Sequence, residues 1–434
     1  MRFESNGIDL MSSVLSIYGF TRPKKSWSWW QKMAHYSLCA TNCSVATASL
    51  TVGVIQATNQ LIANEYHKAW KKLCILSGLA DALCMVLFAL TQWSKITAFN
   101  KSLKDMTAEA LVHSPSEASI DIYKRHARYS RGLVLTYLVS IGFLTVFWMS
   151  LSFIIFFFYP DVKNEVWAFV SFADAIDSHA AIDSWPFVVL ELLRCWVVSL
   201  TVPLKCTFPP VLVILFEGQL SILEESLRMI QRSSLNLKST THSDLMIMSA
   251  VNQQITDSRK IHSVQDEPFD VTVQLKHCIR YHQKILRLMK QMKQFVGPIL
   301  FTGLIFIFVF VGNAAAAIIT GNLSGAAAWL MPLTLVFYLS APIYHLWSLA
   351  SLKSKCSRVG LTAYGTHFCS RLSNRGMETS LLLMVKRSQV KEKFPCVLTS
   401  DFTMPHLYKL LELCWSYVTM SRKQALKTQF ANYR

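Results

Sequence analysis

Apolar residues in this chain come in long runs separated by polar, basic intervals. Seven runs reach about the 20 residues that a helix needs to cross a bilayer: 37–59, 73–92, 132–158, 186–216, 295–319, 326–350 and 403–421. The first is rich in small residues, which let helices approach closely. The third is very hydrophobic. The fourth is interrupted by Pro203 and by the pair Pro209-Pro210, and the seventh is semi-polar.

Three of the intervals carry helical stripes of their own. In 272–294 the apolar residues fall at 275, 278, 279, 285, 286, 289 and 292, with a basic opposite face, and the stretch runs straight into the fifth run. That spacing is the signature of an amphipathic helix. The fourth run continues through Leu220, Leu223, Leu227 and Ile230, and 361–386 repeats the pattern through Leu361, Tyr364, Phe368, Leu372 and Leu381-Leu382. Continuity with the spans predicts helices that leave the bilayer along its normal and pack with one another and with neighbouring subunits. Between them, 233–268 is polar and predicted to be a mobile loop.

Composition agrees with an all-α polytopic membrane protein. Of 434 residues, 52% are hydrophobic and only 16% charged, against about 25% charge in a soluble domain. This excludes a disordered chain, a coiled-coil rod and a disulfide-rich secreted module. The net charge of +17 would suggest a nucleic-acid partner in a soluble protein, but its distribution argues otherwise. With the N-terminus inside, the cytoplasmic segments 1–36, 93–131, 219–294 and 351–402 hold 32 of the 43 Lys and Arg residues. The outside segment 159–185 holds Lys163 alone against Asp161, Glu165, Asp174, Asp177 and Asp183. Such asymmetry predicts a cytoplasmic N-terminus and, after seven spans, an extracellular C-terminus. The N-terminal MRFESNGIDL has no apolar core and is not expected to be a cleaved signal.

Candidate chemistry is sparse. The 11 cysteines form no CxxC, and neither a disulfide framework nor a metal site is predicted. GFTRPKKS at 19–26 has the basic flavour of a phosphate loop but lacks the second glycine and a preceding strand. No catalytic signature is present, so neither enzyme activity nor a cofactor is expected. Asn322-Leu-Ser324 is a glycosylation sequon in a short predicted outside loop. Asp81, Glu191 and Arg194 lie inside spans, where charge is costly and points to function, although Glu191 and Arg194 are three apart and suited to pairing with each other. His277 and His282 read as packing or helix-surface residues. Aromatic and apolar stripes are more informative: Phe143, Leu144, Phe147, Trp148 and Leu151 on span three, Leu190, Cys195 and Val198 on span four, Trp329, Leu333 and Phe337 on span six. Stripes like these more often pack helices, but a cavity between the three spans would suit a small hydrophobic ligand.

Two stretches of the C-terminal half carry a family resemblance. Residues 275–300 place Cys278, Ile279, His282 and Ile285 in a helix ahead of span five. Residues 361–420 place Ala363-Tyr364, then LLLMVKRSQ at 381–389, then a short last span ending Cys414-Trp-Ser-Tyr-Val-Thr-Met420. In this order, in a seven-span chain with its N-terminus inside, they resemble the insect odorant receptors. There is no D-R-Y or N-P-x-x-Y of a G-protein-coupled receptor. The last span matches the T-Y-x5-Q-F ending of the related gustatory receptors only poorly. A secondary transporter would need paired broken helices in two repeats, and none is seen.

The resemblance implies a tetrameric, odour-gated, non-selective cation channel in the plasma membrane of a sensory neuron, working beside a shared co-receptor subunit. It implies a ligand pocket in the outer half, between spans two, three, four and six, with transmembrane helices 1–4 (37–218) as the ligand-pocket bundle and helices 5–6 at 295–350, so the stripes above become its candidate lining for a small volatile organic ligand. It implies an anchor domain from 219–294 and 351–402, a pore-lining helix at 403–424 and an extracellular tail at 425–434. Cys414, Tyr417 and Ser421 become candidate pore-lining residues, Met420 the candidate apolar gate, and Lys423 and Gln424 its outer neighbours. Arg422 and Lys423 stand where a cation pore favours neutral groups. Four such rings would repel cations, which favours one copy among co-receptor subunits.

Overall fold

The computed structural model describes residues 4–17, 19–21, 23, 26–63, 66–113, 116–158, 185–251, 271–319, 326–370 and 375–389, and in the C-terminal segment 405, 408–409, 411–416, 418–420 and 423. Among these residues it is helical, with no strand. The helices are α1 (Gly7–Ile17), α2 (Trp29–Ile62), α3 (Tyr66–His113), α4 (Glu117–Phe158), α5 (Trp185–Val251), α6 (Val271–Ile319), α7 (Ala326–Ser370) and α8 (Arg375–Gln389). The described residues of 405–423 are helical as well. Runs one to six each fall within one of α2 to α7, and all but α2 extend well beyond the run at the same, basic end of the bundle. Among the described residues, four helical stretches are by themselves long and apolar enough to span a bilayer: Trp29–Ile62, Leu79–Val112, Thr201–Ser234 and Val271–Gly312.

Local chemistry explains where helices start. Asn6 caps α1 by accepting from the backbone N–H groups of Ile8 and Asp9 at 3.0 and 3.1 Å, while its own N–H donates to Asp9 Oδ2. Ser28 and Gln31 form the reciprocal capping box of α2. At the end of α1 the chain reverses through Gly19, whose φ of +80° favours glycine. A Cβ there would sit 2.8 Å from the His35 carbonyl oxygen and 2.9 Å from the Cys39 nitrogen, so close approach to α2 demands glycine a second time.

Burial separates the helices by role. In the apolar stretch of α2, 17% of residues are buried, against 83% in that of α5. Helix α5 is therefore the central pillar, and α2 shows its apolar side, including Trp29, Trp30, Val54, Ile55 and Ile62, outward. The prolines expected to interrupt span four do not do so: α5 runs unbroken through Pro203, Pro209 and Pro210. Proline removes the hydrogen bond to the carbonyl four residues earlier. For Pro210 that carbonyl belongs to Cys206, and it accepts instead from His345 Nε2 of α7 at 2.7 Å. The helix then continues to Val251, into the stretch whose polarity predicts a mobile loop; residues 252–268 lie outside those described.

The principal core extends from the spans far into the basic end. Phe99, Leu103 and Met106 of α3, Leu220, Leu223 and Leu227 of α5, Leu275, Ile285 and Met289 of α6, Val359 and Ala363 of α7, and Leu381 and Met384 of α8 form one buried cluster. The three amphipathic stripes pack on one another, with Leu361 and Tyr364 left exposed. The expected 361–386 helix is divided between the end of α7 and α8. Buried polar groups tie the layers together: Tyr281 Oη donates to Gln219 Oε1 at 2.6 Å, and Gln219 Nε2 donates to Thr107 Oγ1 at 2.9 Å. Helix α1 docks on this assembly through Lys104 to Asp9 (2.7 Å) and Gly7 N–H to Ser130 Oγ (3.1 Å).

Candidate ligand pocket and pore-lining segment

A layer of buried polar groups crosses the bundle within the apolar runs. Asp81 of α3 and Lys205 of α5 are 5% and 6% exposed and form an ion pair. The Lys205 ammonium also lies 5.4 Å from the centre of the Phe306 ring, a cation–π contact. Its stem passes Gly303 of α6, where an added Cβ would stand 3.5 Å from Lys205 Cε. At the next residue of α5, His345 of α7 holds the Cys206 carbonyl, and Tyr137 of α4 is hydrogen-bonded to Ser340 of α7. Five helices thus meet around one polar level, closed by the small cluster of Ile141, Val202, Cys206 and Ala341.

The candidate ligand-lining residues stand immediately beyond this level on the same helices. Phe143 and Phe147 of α4 stack at 6.5 Å between centroids. Both belong to an exposed stripe with Leu135, Val139 and Val146, while Leu144 is half-buried. Trp148 and Leu151 of α4, Leu190, Cys195 and Val198 of α5, and Trp329, Leu333 and Phe337 of α7 are carried on helical backbone, and their side chains lie outside the described set. Asp81 was legible as a span charge, but its partner Lys205 was not singled out by sequence. Glu191 and Arg194 have side chains outside the described set, and Asn322 lies outside the described residues altogether.

In the 405–423 segment Cys414 and Val418 are buried. Cys414 Sγ donates to the Phe308 carbonyl of α6 at 3.9 Å, which fixes the inward face of the segment. Leu411, Leu413, Trp415 and Met420 are exposed, as is Lys423. Tyr417, Ser421 and Gln424 lie outside the described residues.

At the basic end the electrostatics are dense. Glu224 of α5 accepts from Lys355 (2.7 Å) and Arg358 (3.3 Å) of α7 and from Arg228 of its own helix (2.6 Å). Burial alone would raise its carboxyl, but these cations, Lys355 foremost, hold it below the usual carboxylate range. His282 is buried and faces Ser388 Oγ of α8 at 3.4 Å. Burial, with Arg387 adding to it, pushes its imidazole down to about 4. His277 is half-buried and stacks on Tyr281 with centroids 6.2 Å apart. Among the described residues, no group of three or more His, Cys, Asp or Glu is placed to hold a metal.

An all-helical chain with several membrane-length apolar helices and a buried polar level inside the bundle is a multi-pass membrane protein. Its sequence matches the 7tm Odorant receptor family over residues 65–415, and the chain belongs to that family. The fold agrees. The insect olfactory receptor OR5 from Machilis hrabei superposes with a TM-score of 0.61 at 10% identity, over 95% of this chain and 96% of that one. The same receptor in complex with eugenol superposes with a TM-score of 0.61 at 12% identity, over 96% and 97%. No curated protein matches the chain significantly.

Proposed function

We propose that this chain is the ligand-tuning subunit of an odour-gated, non-selective cation channel, assembled as a tetramer with a shared co-receptor subunit. The observation that carries the reading is the family match across residues 65–415. The N-terminus and basic end are cytoplasmic and the C-terminus extracellular, in line with the placement of Lys and Arg. The protein resides in the plasma membrane, in a sensory dendrite.

A small hydrophobic volatile ligand enters the outer half of the bundle, between α4, α5 and α7, where the candidate lining stands above the Asp81–Lys205 level. That the Machilis hrabei receptor binds eugenol supports a ligand of that size. The 405–423 helix lines a central pore. Cys414 faces its own bundle, so exposed Met420 is the best gate candidate, with Lys423 beyond it. A ring of lysines from four copies would repel cations, which favours the heteromer.

Whole-cell current under a panel of volatile organics tests this, with the chain expressed alone and then with an odorant co-receptor subunit. Fast cation current only on co-expression is expected. Current from the chain alone would overturn the heteromeric reading. Silence in both settings, with the protein shown at the surface, would remove the channel reading itself.

A further inference from the structure

Helix α4 carries one face that no other described residue covers. At about 100° per residue, Arg125, Arg128, Arg131, Gly132, Leu135 and Val139 fall within a sector of about 120°, and every one of them is exposed. The face changes character along the helix axis. It is basic up to Arg131 and apolar from Leu135. The change falls where the apolar run 132–158 begins, which is the membrane–water boundary. Arg125 lies about 9 Å along the axis from Arg131, at about 1.5 Å per residue. The headgroup layer on each side of a bilayer is about 5–7 Å thick, so three long side chains reach it from successive turns.

These cations exceed the acids beside them. Arg128 Nε stands 3.8 Å from Glu4 Oε2, with the Arg128 side chain 70% exposed, a loose surface contact. Asp121 and Glu117 lie on earlier turns of α4, farther from the boundary. Among the described residues neither Arg125 nor Arg131 has a carboxylate within ion-pair distance. A free guanidinium fork is matched to phosphate oxygens.

Gly132 supplies an independent observation. It sits inside α4, where glycine lowers helix stability. Packing does not account for it, because an added Cβ would meet no atom within 4 Å. A helix glycine that no neighbour requires points to a backbone approached from outside the chain. The notch lies one turn from Arg128, beside Arg131 and just before Leu135. We infer that this face of α4 binds an anionic phospholipid. Arg125, Arg128 and Arg131 hold its phosphate, its glycerol lies over Gly132, and its acyl chains run along Leu135 and Val139, which are 52% and 62% exposed. Basic clusters next to a span attract anionic headgroups. The apolar continuation selects a lipid over an acidic peptide or a nucleic acid, either of which would leave Leu135 and Val139 uncovered. Assignment to the cytoplasmic leaflet rests on the proposed topology, whereas binding itself does not.

Native mass spectrometry of the purified, delipidated full chain tests the site, titrated with phosphatidylglycerol and, separately, with phosphatidylcholine. The wild type is expected to retain phosphatidylglycerol in preference to phosphatidylcholine. An Arg125→Gln, Arg131→Gln double variant leaves Arg128 beside Glu4. It should lower that preference about thirtyfold, with each arginine worth a factor of about five. A Lys276→Gln, Arg280→Gln double variant removes as many charges from exposed positions of α6, more than about 20 Å along the axis from its apolar run, and should leave the preference unchanged. Equal preference in the wild type and the α4 variant, or an equal loss in the α6 variant, would sink the proposal. Displacement by millimolar inorganic phosphate would overturn the lipid assignment in favour of a soluble phosphate. Loss of a co-purifying co-receptor subunit from the α4 variant, with its lipid preference intact, would reassign the face to a protein partner. If the α4 double variant unfolds, Arg131→Gln alone carries the same test, with a loss of about fivefold expected. Failure of the channel measurement above leaves this result unaffected, because retention is read without current.

Discussion

Replacing Lys205 by methionine isolates the intramembrane ion pair. The side chain keeps its length and apolar stem, and Asp81, 5% exposed, loses its counter-ion. Removing one partner of a buried pair costs about 3–5 kcal/mol, because the other charge is left uncompensated where water does not reach. Removing both charges together is often close to neutral. Asp81→Asn, Lys205→Met and the double variant therefore form a cycle in which the singles should be unstable and the double largely restored. The coupling energy should exceed about 2 kcal/mol, well above the roughly 0.3–0.5 kcal/mol within which independent sites add. Unfolding of the purified chain in mixed micelles, titrated with a denaturing detergent and followed by tryptophan fluorescence, reads all four proteins. A Lys205→Met loss below about 1 kcal/mol, or a double variant as unstable as the two singles summed, would refute the reasoning. Either result would mean that water reaches the pair and that the polar level is not sealed.

Other predictions follow from the same geometry. The folded-state pKa of His282, about 4, lies below its unfolded value near 6.5. Its stabilising contribution is thus present above pH 6.5 and lost as pH falls towards 4, so the melting temperature should drop across that window less steeply in His282→Gln than in the wild type; equal slopes would remove His282 as the cause. Gly19→Ala places a Cβ 2.8 Å from the His35 carbonyl oxygen in a left-handed conformation, and a loss of about 1–3 kcal/mol is expected in thermal unfolding; wild-type stability would show that the turn relaxes freely. Met420→Ala should raise ligand-independent current in the co-expressed channel, and unchanged leak would take Met420 out of the gate. Trp148→Ala should shift ligand sensitivity more than surface level, whereas loss of expression alone would make it a packing residue.

Much of this architecture was legible in the residues, because span length and helical spacing are local properties. The stripe at 275, 278, 285 and 289 announced α6 before span five, and α6 does run through both as one helix. The prolines of span four misled for a physical reason. Sequence shows the hydrogen bond that Pro210 removes, but not the histidine 135 positions later that replaces it. Lys205 was hidden in the same way: it sits 124 residues from Asp81, and only packing of α3 against α5 joins them. The candidate ligand residues were read from aromatic stripes. A stripe fixes which residues share a helix face but not what that face meets, and Phe143 and Phe147 share theirs with the exposed Leu135 and Val139.

The bond from His345 to the Cys206 carbonyl means that the backbone of α5 is completed by α7. The carbonyl accepts only when His345 carries its proton on Nε2, so the imidazole is fixed in one tautomer. If α7 slid or turned relative to α5, it would strip that carbonyl of its donor at a depth where no solvent stands ready to replace it. Intermediate positions are therefore the least favourable ones. The two helices are expected to move as a single body until the bond breaks outright, so that the contact between α5 and α7 acts as a latch rather than a spring.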